Sequence, residues 1–121
     1  MFKVDELTGD ITLRQGDSGK YTITGIEVDY AYTPYLAVTT ENRIQVGEQI
    51  VGVIDGTSVS FKFKPSFTDL LTVKKGEDDE TYLFFIKFVS GVDDIEDTIV
   101  IGNKSIYDVN TITVLPKFVE G

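Results

Sequence analysis

Residues 57–64 read Thr-Ser-Val-Ser-Phe-Lys-Phe-Lys. Val59, Phe61 and Phe63 fall on one side of an extended chain, and Ser58, Ser60, Lys62 and Lys64 on the other. Side chains of a strand point alternately to opposite faces, so this octet predicts a strand with one dry face and one wet face. The same period of two recurs along most of the chain. It predicts an antiparallel β domain whose outer faces meet water.

Turn residues divide the alternating stretches. Phe2–Val4 reads as a short edge strand or a loose end. Ile11–Gln15 and Lys20–Thr24 flank Gly16-Asp17-Ser18-Gly19 and read as a hairpin. Gly25 to Tyr30 is a loop candidate. Ala31–Thr40 is a strand with Pro34 at an edge, at its start or at a bulge. Ile44–Val46 follows. Ile50–Ile54 and Val59–Phe63 flank Asp55-Gly56, the strongest short hairpin signal in the chain. Ser66, as an N-cap with Asp69 three residues on, predicts one or two helical turns over Ser66–Leu71. Thr81–Ser90 is apolar on both faces until Lys87, which makes it the candidate central strand. Thr98–Ile101 and Thr111–Val114 complete the set. Eight or nine strands at intervals of about 8–12 residues form the signature of a sandwich or barrel.

A chain of 121 residues reads as one domain, residues 1–121. Its apolar fraction of 41% and its eight Phe and six Tyr suffice for a sheet-on-sheet core without disulfides. The expected core is Ile11, Leu13, Tyr21, Ile23, Leu36, Val38, Val51, Val53, Val59, Phe61, Phe63, Leu70, Phe84, Ile86, Phe88, Ile99, Ile101, Ile112 and Val114.

The net charge is −9, from 11 basic and 20 acidic residues. Nucleic acid and anionic membranes repel such a chain, so neither is an expected partner. The chain has no Cys and no His. Disulfides, thiolate metal sites and His-activated nucleophiles are thereby excluded, and only carboxylates, Lys and Tyr remain for chemistry near neutral pH. No apolar run has the length of a membrane span, and Met-Phe-Lys-Val-Asp-Glu lacks the apolar stretch of an export signal. A non-enzymatic protein without cofactor or catalytic residues is expected.

Two acidic clusters, 77–80 and 93–97, carry the ligand type that calcium prefers. Neither has the alternating spacing that folds a loop around one ion, so solvated loops are the expectation. The same carboxylates give no basis for a glycosidase pair. Ser18, flanked by Gly16 and Gly19, has no base to activate it and reads as a turn. Tyr30, Tyr32 and Tyr35 form an aromatic group that could stack on sugar rings or cap an interface.

Four stretches carry a family resemblance: Asp10–Gly19, the Tyr82–Lys87 strand, Glu96-Asp97-Thr98, and the ending Thr113–Gly121. Together they resemble small β-rich virion proteins of tailed bacteriophages. The likeness is to the N-terminal domain of upper baseplate, or tail-associated, proteins from phages and prophages of Gram-positive hosts. The resemblance implies a β-sandwich that attaches other parts of the virion to the tail. It implies other virion proteins or further copies of itself as partners, in a homo-oligomeric ring, and a place in the virion after assembly in the host bacterial cytoplasm.

The expectation is therefore an all-β, antiparallel, Ig-like sandwich with a short helix at residues 66–71, serving as a tail, baseplate or neck component. The expected interface residues are Tyr30, Tyr32, Tyr35, Leu83, Phe85, Phe118 and Val119. Strand addition at sheet edges and burial of Phe118 and Val119 in a neighbour would hold it in place. The alternative is a carbohydrate-binding module with the three tyrosines as its platform.

Overall fold

The computed structural model describes residues 1–25, 32–90, 95–102 and 108–118. The all-β expectation holds. In chain order the strands are β1 (Phe2–Val4), β2 (Ile11–Arg14), β3 (Gly19–Ile23), β4 (Thr33–Thr39), β5 (Ile50–Val51), β6 (Val53–Asp55) and β7 (Ser58–Phe63). The single-turn helix α1 (Pro65–Thr68) precedes β8 (Glu80–Ser90), β9 (Ile95–Ile99) and β10 (Asn110–Leu115).

The strands form two sheets. The larger has the order β1-β2-β10-β8-β4-β5, with β9 also on β8. The smaller has the order β3-β7-β6. β8 is central, as its two apolar faces predict. Its first half pairs with β10 (Thr111↔Leu83), its second half pairs with β9 on the same side, and β4 runs along the other (Leu36↔Ile86). The wholly antiparallel expectation needs correction. β10 and β2 pair in parallel, with Ile112 opposite Ile11 and Val114 opposite Leu13, so the larger sheet is mixed.

Side chains from both sheets meet in one core. Leu13, Leu36, Val38, Val59, Phe61, Phe63, Ile112 and Val114 are fully buried. Tyr21 of β3 and Phe84 of β8 meet edge to face, with ring centroids 5.4 Å apart. The Tyr21 hydroxyl donates to the Gly9 carbonyl at 2.8 Å. Burial, and then the Asp10 carboxylate, push the Tyr21 pKa well above its usual value, so the ring stays a neutral donor.

Three features differ from the sequence expectation. First, β2 and β3 are not a hairpin. The 14–17 turn, closed by a hydrogen bond from Asp17 N to Arg14 O, carries the chain from one sheet to the other. Alternation marks a dry face on each strand, but it does not say whether two dry faces lie side by side or opposed. The 55–58 hairpin does form, with Asp55 opposite Ser58.

Second, Val51 and Val53 are exposed, and Leu70 is half open. Ile50-Val51-Gly52-Val53-Ile54 is apolar at both parities except for Gly52. Gly52 decides between them. A Cβ there would fall 2.8 Å from the Phe61 ring and 3.0 Å from Pro34, so the bare backbone lies against the core. Ile50 and Ile54 therefore pack inward, and the chain changes sheets at Gly52 between β5 and β6.

Third, the helix is shorter than expected and begins earlier. Its N-cap is Lys64 with Pro65 behind it, and no side chain caps it, Ser66 included. Leu71, rather than Leu70, fills the core. Ile99 and Ile101 of the expected core are only partly buried. Pro34 lies at the start of β4, one of the positions expected for it.

Buried Asn110 is a clamp that the alternation did not signal. Its side-chain amide pairs with the Ile101 peptide, accepting from Ile101 N at 2.9 Å and donating to Ile101 O at 3.0 Å. Its second N–H reaches Thr8 O at 3.1 Å. Nearby, Asp5 accepts from the backbone N–H groups of Thr8 and Leu7, which holds its pKa below the usual carboxylate value. That turn's contribution is present above the unfolded carboxylate pKa and is lost only as the pH falls through the lower folded one.

Phe84→Ala should cost about 3–5 kcal/mol in urea denaturation, and a loss well under about 1 kcal/mol would place Phe84 outside the shared core. Asn110→Ala should cost about 1–3 kcal/mol in the same measurement, because it leaves the partly buried peptide groups of Ile101 without their side-chain partner.

Candidate functional site

The outward residues of the larger sheet form the first candidate surface. On β8 these are Leu83, Phe85 and Lys87, alternating with inward Phe84 and Ile86. The register sets Phe85 beside Ala37, Lys87 beside both Tyr35 and Thr98, and Leu83 between Thr39 and Thr111. Leu83 is buried within the domain itself, whereas Phe85 is half-buried. The Arg43 guanidinium lies 5.2 Å from the centre of the Phe85 ring.

A strained turn puts Arg43 there. Its φ of +68° is the only positive φ of a non-glycine among the described residues. Arg43 N donates to Thr40 O at 2.9 Å, and Ile44 N donates to the Thr40 hydroxyl at 3.2 Å. A bulky side chain in the left-handed region costs energy, and such strain concentrates at functional surfaces. Tyr35, Arg43, Gln49, Phe85, Lys87 and Thr98 edge a shallow hollow of about 330 Å³. It joins an aromatic floor to the Arg43 guanidinium, to hydroxyl groups and to Lys87, whose ammonium pairs with Glu96 at 3.3 Å.

The second surface lies at the end of the molecule near Phe118, whose side chain is 85% exposed. Arg14 holds the segment before it. Its Nη1 donates to Pro116 O at 2.7 Å, and its guanidinium carbon stands 3.6 Å from the Phe118 ring centre. Lys117 pairs with Asp69, the N-terminal amine pairs with Asp17, and Gln15 Nε2 donates to Asp69 O at 2.9 Å. The large apolar ring is thus presented on a tethered segment in a charged, open cleft.

The expected interface residues are not gathered into one site. Tyr35 and Phe85 share the hollow, and Phe118 stands apart at the molecule's end. Tyr32 packs against the core while Tyr35 faces outward, so these two do not make one stacking platform. Tyr30 and Val119 lie outside the described residues. Arg43 and Arg14 were missed. An arginine in a Glu-Asn-Arg turn carries no local mark that a left-handed backbone will lay it on a ring 42 positions away.

Among the described residues no three carboxylates converge as metal ligands, and no helix is long and apolar enough to cross a membrane. Glu77–Asp79 are exposed, and Asp93 and Asp94 of the second acidic cluster lie outside the described residues. No protein-family model matches the chain, and no curated protein matches it.

Arg43→Gly should change stability by less than about 1 kcal/mol, since relief of the positive φ offsets the lost stacking on Phe85. A larger loss by denaturant titration would show that the stacking dominates.

Proposed function

We propose that this domain is a non-enzymatic assembly module acting through protein–protein contacts, as a tail, baseplate or neck component of a tailed-phage virion. The observation that carries the contact role is Phe118, a large apolar ring left 85% exposed yet held in place by Arg14. A buried aromatic anchor beside arginine is the usual composition of an interface hot spot. The Tyr35–Arg43–Phe85 hollow supplies a second surface of the same type. The narrower virion assignment rests on the resemblance of Asp10–Gly19, Tyr82–Lys87, Glu96–Thr98 and Thr113–Gly121 to upper baseplate domains. Other virion proteins or further copies of this chain are the partners, and the virion is its location.

For the fold within the all-β class, we propose the variable-type Ig plan. In it β3, β7 and β6 take the places of strands B, E and D, and β10, β8, β4 and β5 those of G, F, C and C′. Two side-chain features support this plan. The Tyr82 hydroxyl donates back to Thr72 O at 2.6 Å, as the tyrosine at the start of strand F does in such domains. Phe84, two residues on, faces Tyr21 of β3 where an Ig domain would set its disulfide between strands B and F.

The assembly role is tested by light scattering and sedimentation over a range of concentrations. Wild type should associate, alone or with neighbouring virion proteins produced alongside it. Deleting residues 117–121, or making Phe118→Asp, should abolish association and leave a folded monomer. Association that survives both changes would overturn the role of this end. A wild type that stays monomeric, finds no virion partner and retains sugars on a glycan array would move the reading to the carbohydrate-binding alternative.

A further inference from the structure

The outer face of the smaller sheet is the wet side of the Thr57–Lys64 octet. Lys20 of β3 and Lys62 of β7 stand directly opposite each other in the register. Both are exposed, and among the described residues neither forms an ion pair. Like charges directly opposed across two strands destabilise a sheet. The pairing is also costly to explain by solubility, because a chain of net charge −9 is already kept soluble by its carboxylates.

The surroundings of the pair are built for more than a lone ion. Thr22 and Ser60, the next opposed pair along the ladder, share one hydrogen bond of 3.1 Å. Two hydroxyls carry two hydrogens, and one bond uses one, so the other is left to donate outward. Val51 and Val53 close one side of the face, 58% and 68% exposed. The concavity measures about 720 Å³. Among the described residues its single carboxylate, Asp55, lies at the far end of β6 and reaches neither lysine. β6 itself ends the sheet and has an unpaired edge.

We infer that this face docks an extended acidic segment of a partner protein. Its carboxylates, which fall together on one side of an extended segment, would meet Lys20, Lys62 and the Thr22–Ser60 hydroxyls, with Val51 and Val53 as the apolar wall of the site. A strand with an acidic residue at every second position presents all of them to such a face, and the free β6 edge offers main-chain pairing beside it. At physiological salt the repulsion from the chain's other carboxylates is screened beyond about 8 Å, so the lysines dominate at contact. This inference goes beyond the assembly reading and does not depend on it, because neither Phe118 nor the Phe85 hollow takes part.

The test is fluorescence anisotropy with a labelled eight-residue peptide of alternating valine and glutamate, titrated with the full chain. Saturable binding is expected. Lys20→Gln should weaken it about three- to fivefold, the size of one surface ion pair. Lys62→Glu should weaken it more, while raising the melting temperature because Lys20 gains a cross-strand partner. The opposed shifts in binding and stability separate a docking role from a structural one. Absence of saturable binding, or equal binding by Lys62→Glu, would overturn the inference. Full displacement of the peptide by inorganic phosphate would replace the polypeptide with a small anion. A change of oligomeric state in Lys62→Glu by sedimentation would identify the occupant as a second copy instead. Phe118→Asp, tested beside them, should bind the peptide as wild type does, so that failure here and failure of the assembly reading remain distinct.

Discussion

Phe84 is the contact on which the two sheets depend. It belongs to β8, which among the described strands is the one both hydrogen-bonded along its two edges and apolar on its two faces. Its ring meets Tyr21 edge to face, which ties β3 of the smaller sheet to the centre of the larger one. Tyr21 in turn donates its hydroxyl to Gly9, so the same contact fixes the loop that leads into β2. β2 then lies parallel to β10, which is itself a neighbour of β8. An aromatic pair thus joins the sheets in a chain without cysteine, with dispersion and apolar burial doing what a covalent bridge does elsewhere.

The surfaces follow from that arrangement. Because β8 is apolar on both faces, something must lie over Leu83 and Phe85. The domain buries Leu83 by itself and leaves Phe85 to Arg43, a residue held in a left-handed backbone. At the end of the molecule Arg14 does the same for Phe118. In both places a guanidinium lies over a ring without removing it from reach. On the opposite side of the fold, two lysines oppose each other with no carboxylate between them. Cationic groups are few in this acidic chain, and these stand where apolar surface or hydroxyl groups can also contribute.

Much of the fold was legible because alternation is a local property. Tyr21, Ile23, Val59, Phe61, Phe63 and the inward residues of β8 all lie on the expected dry faces. The misreadings occur where a local pattern permits two answers. Ile50–Ile54 is apolar at both parities, and only the close approach of Gly52 to Phe61 selects Ile50 and Ile54. The turn after β2 suits a hairpin and a crossing equally, and the need to oppose two dry faces selects the crossing. Phe85 and Tyr35 of the candidate surface could be read as outward and aromatic. Arg43, Arg14 and the Lys20–Lys62 opposition could not, since each depends on a register between distant segments.

By itself the sequence determined the β class, the central place of Thr81–Ser90, the 55–58 hairpin and the absence of thiol or imidazole chemistry. These depend on residue type and on spacing within a few positions, where side-chain parity and turn stereochemistry operate. The tertiary structure alone decided the parallel β2–β10 pair, the change of sheet at Gly52, the Asn110 clamp and the two rings covered by arginine. Each of these joins residues far apart in the chain. Their energies come from packing and hydrogen bonding across sheets and loops, and no local period records which distant groups will meet.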